Sequence, residues 1–341
     1  MGTQDLEPLE PSTGVKMYLD DRRDDVSDAT LQSHGYRLER FLEWCERNDV
    51  DDLNPLTGRD IQSYKIARKR DGIAASTLKS QLDTLRVFLR FCSSINAVHD
   101  ELPEAVNSPS LSDDEKRGTD VLRSERADRI LAHRSKYDYA SRKHAQFRLL
   151  WSTGMRMGAA RSIDLRDLHL ENRYVELHHR PSEETPLKNN VRGEREVAID
   201  TQTANVLRDY IGENRVDSTD DYGREPLITT KFGRASDNSV RAWTYQMTRP
   251  CMAGMDCPHS REPDRCEAVD GQTRMSASKC PSSVAPHAIR RGAITHHLAQ
   301  DTPTKVVSDR MNVGTDVLEE HYDARSEHEK MEQRRHHIPD I

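Results

Sequence analysis

Residues 286–299 read Pro-His-Ala-Ile-Arg-Arg-Gly-Ala-Ile-Thr-His-His-Leu-Ala, and the rest of the chain is read outward from them. Proline suits the first position of a helix, where its missing N–H is no loss, so the stretch predicts a helix starting near Pro286. His287 and Arg290 then stand at i and i+3, on one face. An imidazole beside a guanidinium suits a phosphate, because the planar fork of arginine binds two of its oxygens at once. Arg291 points off that face. His296 and His297 lie mid-helix without a partner pattern and read as packing or surface residues.

Downstream, residues 303–322 keep a helical pattern and end on Glu320-His321-Tyr322. No other tyrosine lies beyond Tyr245. A phenol with a pKa of about 10 is a poor nucleophile at neutral pH. It attacks phosphorus only where the phosphate charge is neutralised and the leaving oxygen receives a proton. Upstream, Thr153-Gly154-Met155-Arg156 sets an arginine just past a helix-ending glycine, at a loop or helix start. Lys188 lies in a polar stretch between two alternating segments, residues 173–179 and 194–200, which read as a hairpin. It is the only lysine between Lys143 and Lys231. One phenol, two arginines, a histidine and a lysine form a set that phosphoryl transfer can use.

At these residues the chain resembles the tyrosine recombinases of the phage-integrase and Xer type. The Thr-Gly-x-Arg box, the hairpin lysine, the His-x-x-Arg box and the late tyrosine stand in family order, over residues from about 12 to about 330. Arg310-Met311-Asn312-Val313 is similar to a run found before the tyrosine in the halophilic archaeal branch. The resemblance implies a site-specific recombinase or integrase of a mobile element, which cuts and rejoins double-stranded DNA through a 3′-phosphotyrosine. It implies Arg156 and Arg290 as phosphate clamps, His287 as proton acceptor or phosphate ligand, Lys188 as general acid and Tyr322 as nucleophile. Arg291 would then contact the DNA backbone. No catalytic cofactor is implied. The implied partners are paired recombination sites and further copies of the chain, a free monomer assembling as a tetramer. Two departures stand out. Ala159 occupies the place of a common glutamate, and Val313 that of a second histidine or tryptophan, with Asn312 beside it as an auxiliary hydrogen-bond donor. They keep open a catalytically impaired DNA-binding protein of the same fold, and the chemistry also suits a relaxer of the type IB topoisomerase kind.

Composition sets the bounds. A length of 341 residues suggests about two domains. No apolar run approaches the roughly 20 residues of a membrane span, and no signal segment opens the chain, so a cytoplasmic protein is expected. The net charge of −7 is unusual for a DNA binder, and of 51 basic residues only 12 are lysine. An acidic, lysine-poor surface suits a halophile.

The expected fold is mainly α with a small β-sheet. A disordered stretch, 1–13, leads into a helical, SAM-like core-binding domain over 14–100. Within it, residues 27–47 carry Leu38, Phe41, Leu42 and Cys45 at helical spacing. Residues 60–69 form a second helix. A third is capped by Ser76 or Thr77 and carries Leu78, Leu82, Leu85, Leu89 and Cys92. A linker over 101–120 leads to an α+β catalytic domain over 121–330 and a tail over 331–341, with a charged helical run at 327–335. Cys251, Cys257, Cys266 and Cys280 cluster in a polar stretch, with His259 as an alternative ligand. Four thiols there read as a structural zinc site or as free thiols on a flexible insertion.

Overall fold

The computed structural model describes residues 6–112, 120–270, 276–323 and 325–335. The chain divides into two compact units, Met1–Gly118 and Thr119–Ile341.

The first unit is helical: α1 (Pro11–Asp21), α2 (Asp28–Arg47), α3 (Gly58–Arg70) and α4 (Ala75–Ser94). Ser27 caps α2 by accepting from the Thr30 N–H, and Thr57 with Asp60 forms a capping box on α3. The apolar stripes of α2 and α4 meet in a core that holds Leu38, Phe41, Cys45, Leu82, Leu85, Leu89 and Cys92. Phe41 meets Tyr64 edge-on, ring centroids 5.5 Å apart.

Three expectations need correction here. Residues 6–13 are ordered rather than disordered: Leu53 donates its N–H to the Leu9 carbonyl at 2.9 Å, and α1 starts at Pro11. Residues 1–5 lie outside the described ones. The α1 helix was missed because its apolar residues are few. Helix α4 begins at Ala75 behind Ala74, not behind a Ser76 or Thr77 cap. The linker begins later than 101, because Leu102 and Val106 are buried in this core; residues 113–119 lie outside the described ones.

The second unit continues with α5 (Ser124–Tyr137), α6 (Arg142–Thr153) and α7 (Met157–Ser162). A sheet of β1 (Leu168–His169), β2 (Tyr174–Leu177) and β3 (Arg195–Ala198) follows, antiparallel in the order β1-β2-β3, with Val175 opposite Val197. Helix α8 (Thr201–Asp209) leads to a two-stranded ribbon, β4 (Thr229–Thr230) and β5 (Gly233–Arg234), which sequence patterning missed because each strand has two residues. Then come α9 (Asp237–Thr248), a short α10 (Glu267–Asp270), α11 (Pro286–Ala299), α12 (Thr304–Met311), α13 (Thr315–His321) and α14 (Glu327–Arg335). Residues 336–341 of the expected tail lie outside the described ones.

Helix α6 packs against α5, α8, α9 and α11. Gly292 on α11 lies so close to the Leu122 carbonyl that any Cβ would collide with it. The single helix expected over 303–322 is two, broken where Asn312 adopts φ 51°. Asparagine tolerates this left-handed conformation because its short polar side chain bonds locally. No described helix is long and apolar enough to cross a membrane.

Candidate active site

Helix α6 stops at Gly154, whose φ of 58° gives a left-handed cap. A Cβ there would stand 2.6 Å from the Met311 sulfur, so only glycine lets this turn press against α12. The turn delivers Arg156 to the start of α7, where its Nη1 donates to the Asn312 carbonyl at 3.0 Å. Arg290 rises from α11, only 1% exposed. Its Nη1 donates to the Gly154 and Met311 carbonyls, both at 2.8 Å. Thus one guanidinium clamps the first box to the segment before the tyrosine.

Tyr322 follows α13 directly and is 7% exposed. Thr295 Oγ1 on α11 donates to its carbonyl at 3.0 Å. Its ring meets His287 edge-on at a centroid distance of 5.4 Å, and the Arg290 Cζ lies 5.3 Å from the ring centroid. Arg156, His287, Arg290 and Tyr322, from three separate parts of the chain, therefore converge in one place.

Lys188 is exposed, in the turn between β2 and β3, and no hydrogen bond or ion pair holds its ammonium among the described residues. Its neighbour ties it to the cluster: Asn189 Nδ2 donates to Asn312 Oδ1 at 3.0 Å. Asn312 thus receives Arg156 on its carbonyl and the lysine turn on its side chain. Its amide oxygen is occupied in positioning, which leaves its Nδ2 for the auxiliary donation expected of it. Val313 and Ala159 are both buried in apolar surroundings, so neither adds a polar group.

Sequence reasoning missed two further cations, Arg195 and Arg310, and placed a third, Arg291, away from the site. Arg195 on β3 donates from Nε to the Arg310 carbonyl and from Nη1 to the Gly193 carbonyl, both at 2.8 Å. The signal was there: Arg195 shares a strand face with buried Val197, and arginine on a core face is unusual. Arg310 donates to the Ser152 carbonyl at 3.0 Å. Arg291 is 8% exposed and lies near enough to Tyr322 and Asp120 to feel their charge. That corrects the reading of Arg291 as pointing away from the site.

The electrostatics follow from crowding. Burial, then the Arg156 charge, lowers Arg290 to about 10, against a smaller pull upward from the Tyr322 phenol. Arg195 falls to about 10 through burial and the charges of Arg290, Arg156 and Arg310. His287 is exposed as a residue, yet its ring stands against protein on the Tyr322 side. That desolvation, then Arg290, Arg291 and Arg156, holds the imidazole below its ordinary 6.5. A neutral imidazole at pH 7 accepts a proton.

Among the described residues no carboxylate pairs with Arg156, Arg195, Arg290 or Arg310, and Arg290 Nε and Nη2 lack well-formed hydrogen bonds. Buried charge without a partner is costly, so a site built this way is suited to an anion. His296 and His297 serve structure instead, bonding the Ser124 hydroxyl at 3.0 Å and the Ser152 carbonyl at 3.2 Å.

Arg156, Arg195, Arg290 and Arg310, without carboxylate partners among the described residues, surround one phenol on a mostly helical unit, an arrangement that suits transfer of a phosphate ester to that phenol. The comparisons give the family. Residues 120–313 match the model of the phage integrase family, and residues 17–94 match that of the phage integrase N-terminal SAM-like domain. The chain belongs to the phage integrase family. It is 24% identical over 211 residues to tyrosine recombinase XerD of Oceanobacillus iheyensis, covering 61% of this chain and 67% of that protein. A probable integrase/recombinase protein of Methanocaldococcus jannaschii is 24% identical over 226 residues, covering 63% of this chain and 65% of the other. Matches to XerC relatives span about half of their length, 50% for that of Histophilus somni. In fold it is similar to the Tn1549 transposon integrase solved with circular intermediate DNA, with a TM-score of 0.66 at 14% identity over 94% of this chain and 98% of that one.

Proposed function

We propose that the chain is a tyrosine-type site-specific DNA recombinase, an integrase that breaks and rejoins double-stranded DNA through a 3′-phosphotyrosine. One observation carries the reading: Tyr322 is packed against His287 and Arg290, with Arg156 tied to the same segment and, among the described residues, no carboxylate paired with the two guanidiniums. In this account the Tyr322 oxygen attacks the scissile phosphorus as the bond to the 5′ oxygen breaks. His287 takes the phenolic proton. Arg156 and Arg290 hold the non-bridging oxygens, where charge builds in the transition state. Lys188 protonates the departing 5′ oxygen. A 5′-hydroxyl of a second duplex then attacks the phosphotyrosine and releases the phenol. Each bond broken is replaced by one of equal kind, so no ATP is consumed, and the arginines do the work of a metal.

The DNA partner, the paired sites and a tetramer on them belong to the same proposal, as does docking of α14 on a neighbouring copy. So does a halophilic archaeal source with an integrating element as the gene's context, supported by the acidic, lysine-poor composition. The protein would act in the cytoplasm, where such DNA lies. Covalent capture on a randomised duplex library carrying a nick tests the reading. A denaturation-resistant DNA adduct with the native chain, absent in Tyr322→Phe, supports it. DNA binding without any adduct would point to the impaired DNA-binding alternative, and supercoil relaxation without strand exchange to the topoisomerase-like one.

A further inference from the structure

Between α9 and α11 residues 249–270 and 276–285 form a lobe that the recombination chemistry leaves unused. Its ends close on each other. Val284 donates its N–H to Thr248 Oγ1 at 2.9 Å, and the Arg126 guanidinium donates to the Thr248 and Ser282 carbonyls. Inside, 3-10 turns and the four-residue α10 are the only regular elements among the described residues. The apolar side chains it buries are small, Ala253, Ala268 and Ala277 among them. At about 25 cal/mol per Å² of apolar area, alanines contribute little toward ordering such a length of chain.

Cys251, Cys257, Cys266, Cys280 and His259 all line one cavity of about 10 Å³, room for a single body of about water size. No disulfide joins the four thiols. Arg249 lines the same cavity and is 5% exposed. One of its nitrogens donates to the Ala268 carbonyl, but its Nε has no partner, and no carboxylate pairs with it among the described residues. Thiols without a cation and a buried guanidinium without an anion thus share one cavity.

We propose that Cys251, Cys257, Cys266 and Cys280 bind one structural zinc ion, which staples the lobe between α9 and α11. Zinc takes four thiolates tetrahedrally, and four thiolates on one dication make a net dianion. That is the counter-charge Arg249 lacks, and its free N–H suits a hydrogen bond to a coordinated sulfur. His259 already shares a hydrogen bond with the Ser282 hydroxyl at 2.8 Å, which ranks it behind the cysteines as a ligand. No three His, Cys, Asp or Glu side chains among the described residues stand at the mutual separations of a bound ion. Binding therefore requires the thiols to rotate inward, losing their protons to solvent as they take the metal. Cys257, Cys266 and Cys280 lie outside any helix or strand and Cys251 sits in the four-residue 3-10 helix Pro250–Ala253, so little regular structure opposes the movement.

The test uses the full chain, purified reduced and without chelator. Elemental analysis is expected to find about one zinc per chain, retained in Tyr322→Phe and lost in Cys257→Ser and Cys266→Ser. Replacing zinc by cobalt(II) in the native chain is expected to give thiolate charge-transfer bands and the intense visible bands of a tetrahedral thiolate site. This readout needs neither DNA cleavage nor a foldable variant. A native chain with neither zinc nor cobalt bands, or with the cysteines paired as disulfides, overturns the proposal. A cobalt spectrum alongside absent DNA adducts would keep the metal site and reject the recombinase reading.

Discussion

Arg290 and Arg234 are both buried arginines, yet they are treated in opposite ways. Arg234 meets Asp164 and, at 2.8 Å, Asp220. Among the described residues Arg290 meets carbonyls and the Tyr322 side chain and no carboxylate. The chain can pair a buried guanidinium and, among the described residues, does not do so beside Tyr322, an arrangement suited to phosphate oxygens. Arg290→Ala is expected to slow adduct formation by at least roughly 10²–10³-fold, the usual loss for one transition-state donor, and Arg156→Ala by a similar factor. Arg290→Ala also removes the clamp on Gly154 and Met311, so its melting temperature should fall while that of Arg156→Ala changes little. Single-turnover cleavage and thermal melts separate the two effects. His287 sets a pH dependence. Its pKa is lowered, so it is neutral and competent at pH 7 and becomes protonated only below 6.5. Cleavage at limiting DNA should be flat near neutrality and fall on acidification through that lowered value; a midpoint above 7 would contradict this. These residues were legible because their spacing in the sequence is distinctive. Arg195 and Arg310 were not, since only the folded hairpin shows what they face.

The element that carries Lys188 is held at both ends. At its base, Arg180 Nη2 bonds Asp167 Oδ1 at 2.7 Å, and Arg224 reaches the Thr185 hydroxyl at 3.0 Å. Near its tip, Asn189 bonds Asn312. Burial alone would raise Asp167, but hydrogen bonds from Arg180 and from the Asp164 N–H win and hold it below its ordinary 3.8. A lowered carboxyl contributes stability in full above its unfolded-state value and loses it as pH falls through the folded one. Acid unfolding of the native chain should therefore begin below about pH 4 at this hairpin, and Asp167→Asn should cost about 3 kcal/mol near neutrality. Denaturant melts across pH check both. At the tip, Asn189→Ala should slow cleavage as Lys188→Ala does, by loosening the acid. A substrate with sulfur in place of the bridging 5′ oxygen leaves without a proton, so it should restore both variants. Rescue of Lys188→Ala alone would detach Asn189 from the acid. The hairpin was legible through its alternating strands. The break at Asn312 was not, because 3.6-residue periodicity passes across a single left-handed residue unmarked.

At the scale of the whole molecule, the net charge of −7 leaves little bulk attraction for DNA. Affinity then rests on local cation clusters such as the one around Tyr322. Fewer phosphate contacts give a shallower fall of binding with salt. Filter binding from low to molar KCl should show DNA affinity persisting at high salt, and loss of binding by about 0.2 M would contradict it. The division into two helical units was legible from composition and periodicity. Its boundary was placed too early, since Leu102 and Val106 sit in a polar stretch whose packing only the structure reveals.

The most direct measurement is made on a nicked duplex whose released strand cannot religate. Native chain and Tyr322→Phe are incubated with it, denatured, and resolved by mass. The account predicts a covalent species for the native chain alone, with the DNA 3′ phosphate mapped by peptide sequencing to Tyr322. A covalent species in both proteins, or a linkage to any other residue, would contradict it.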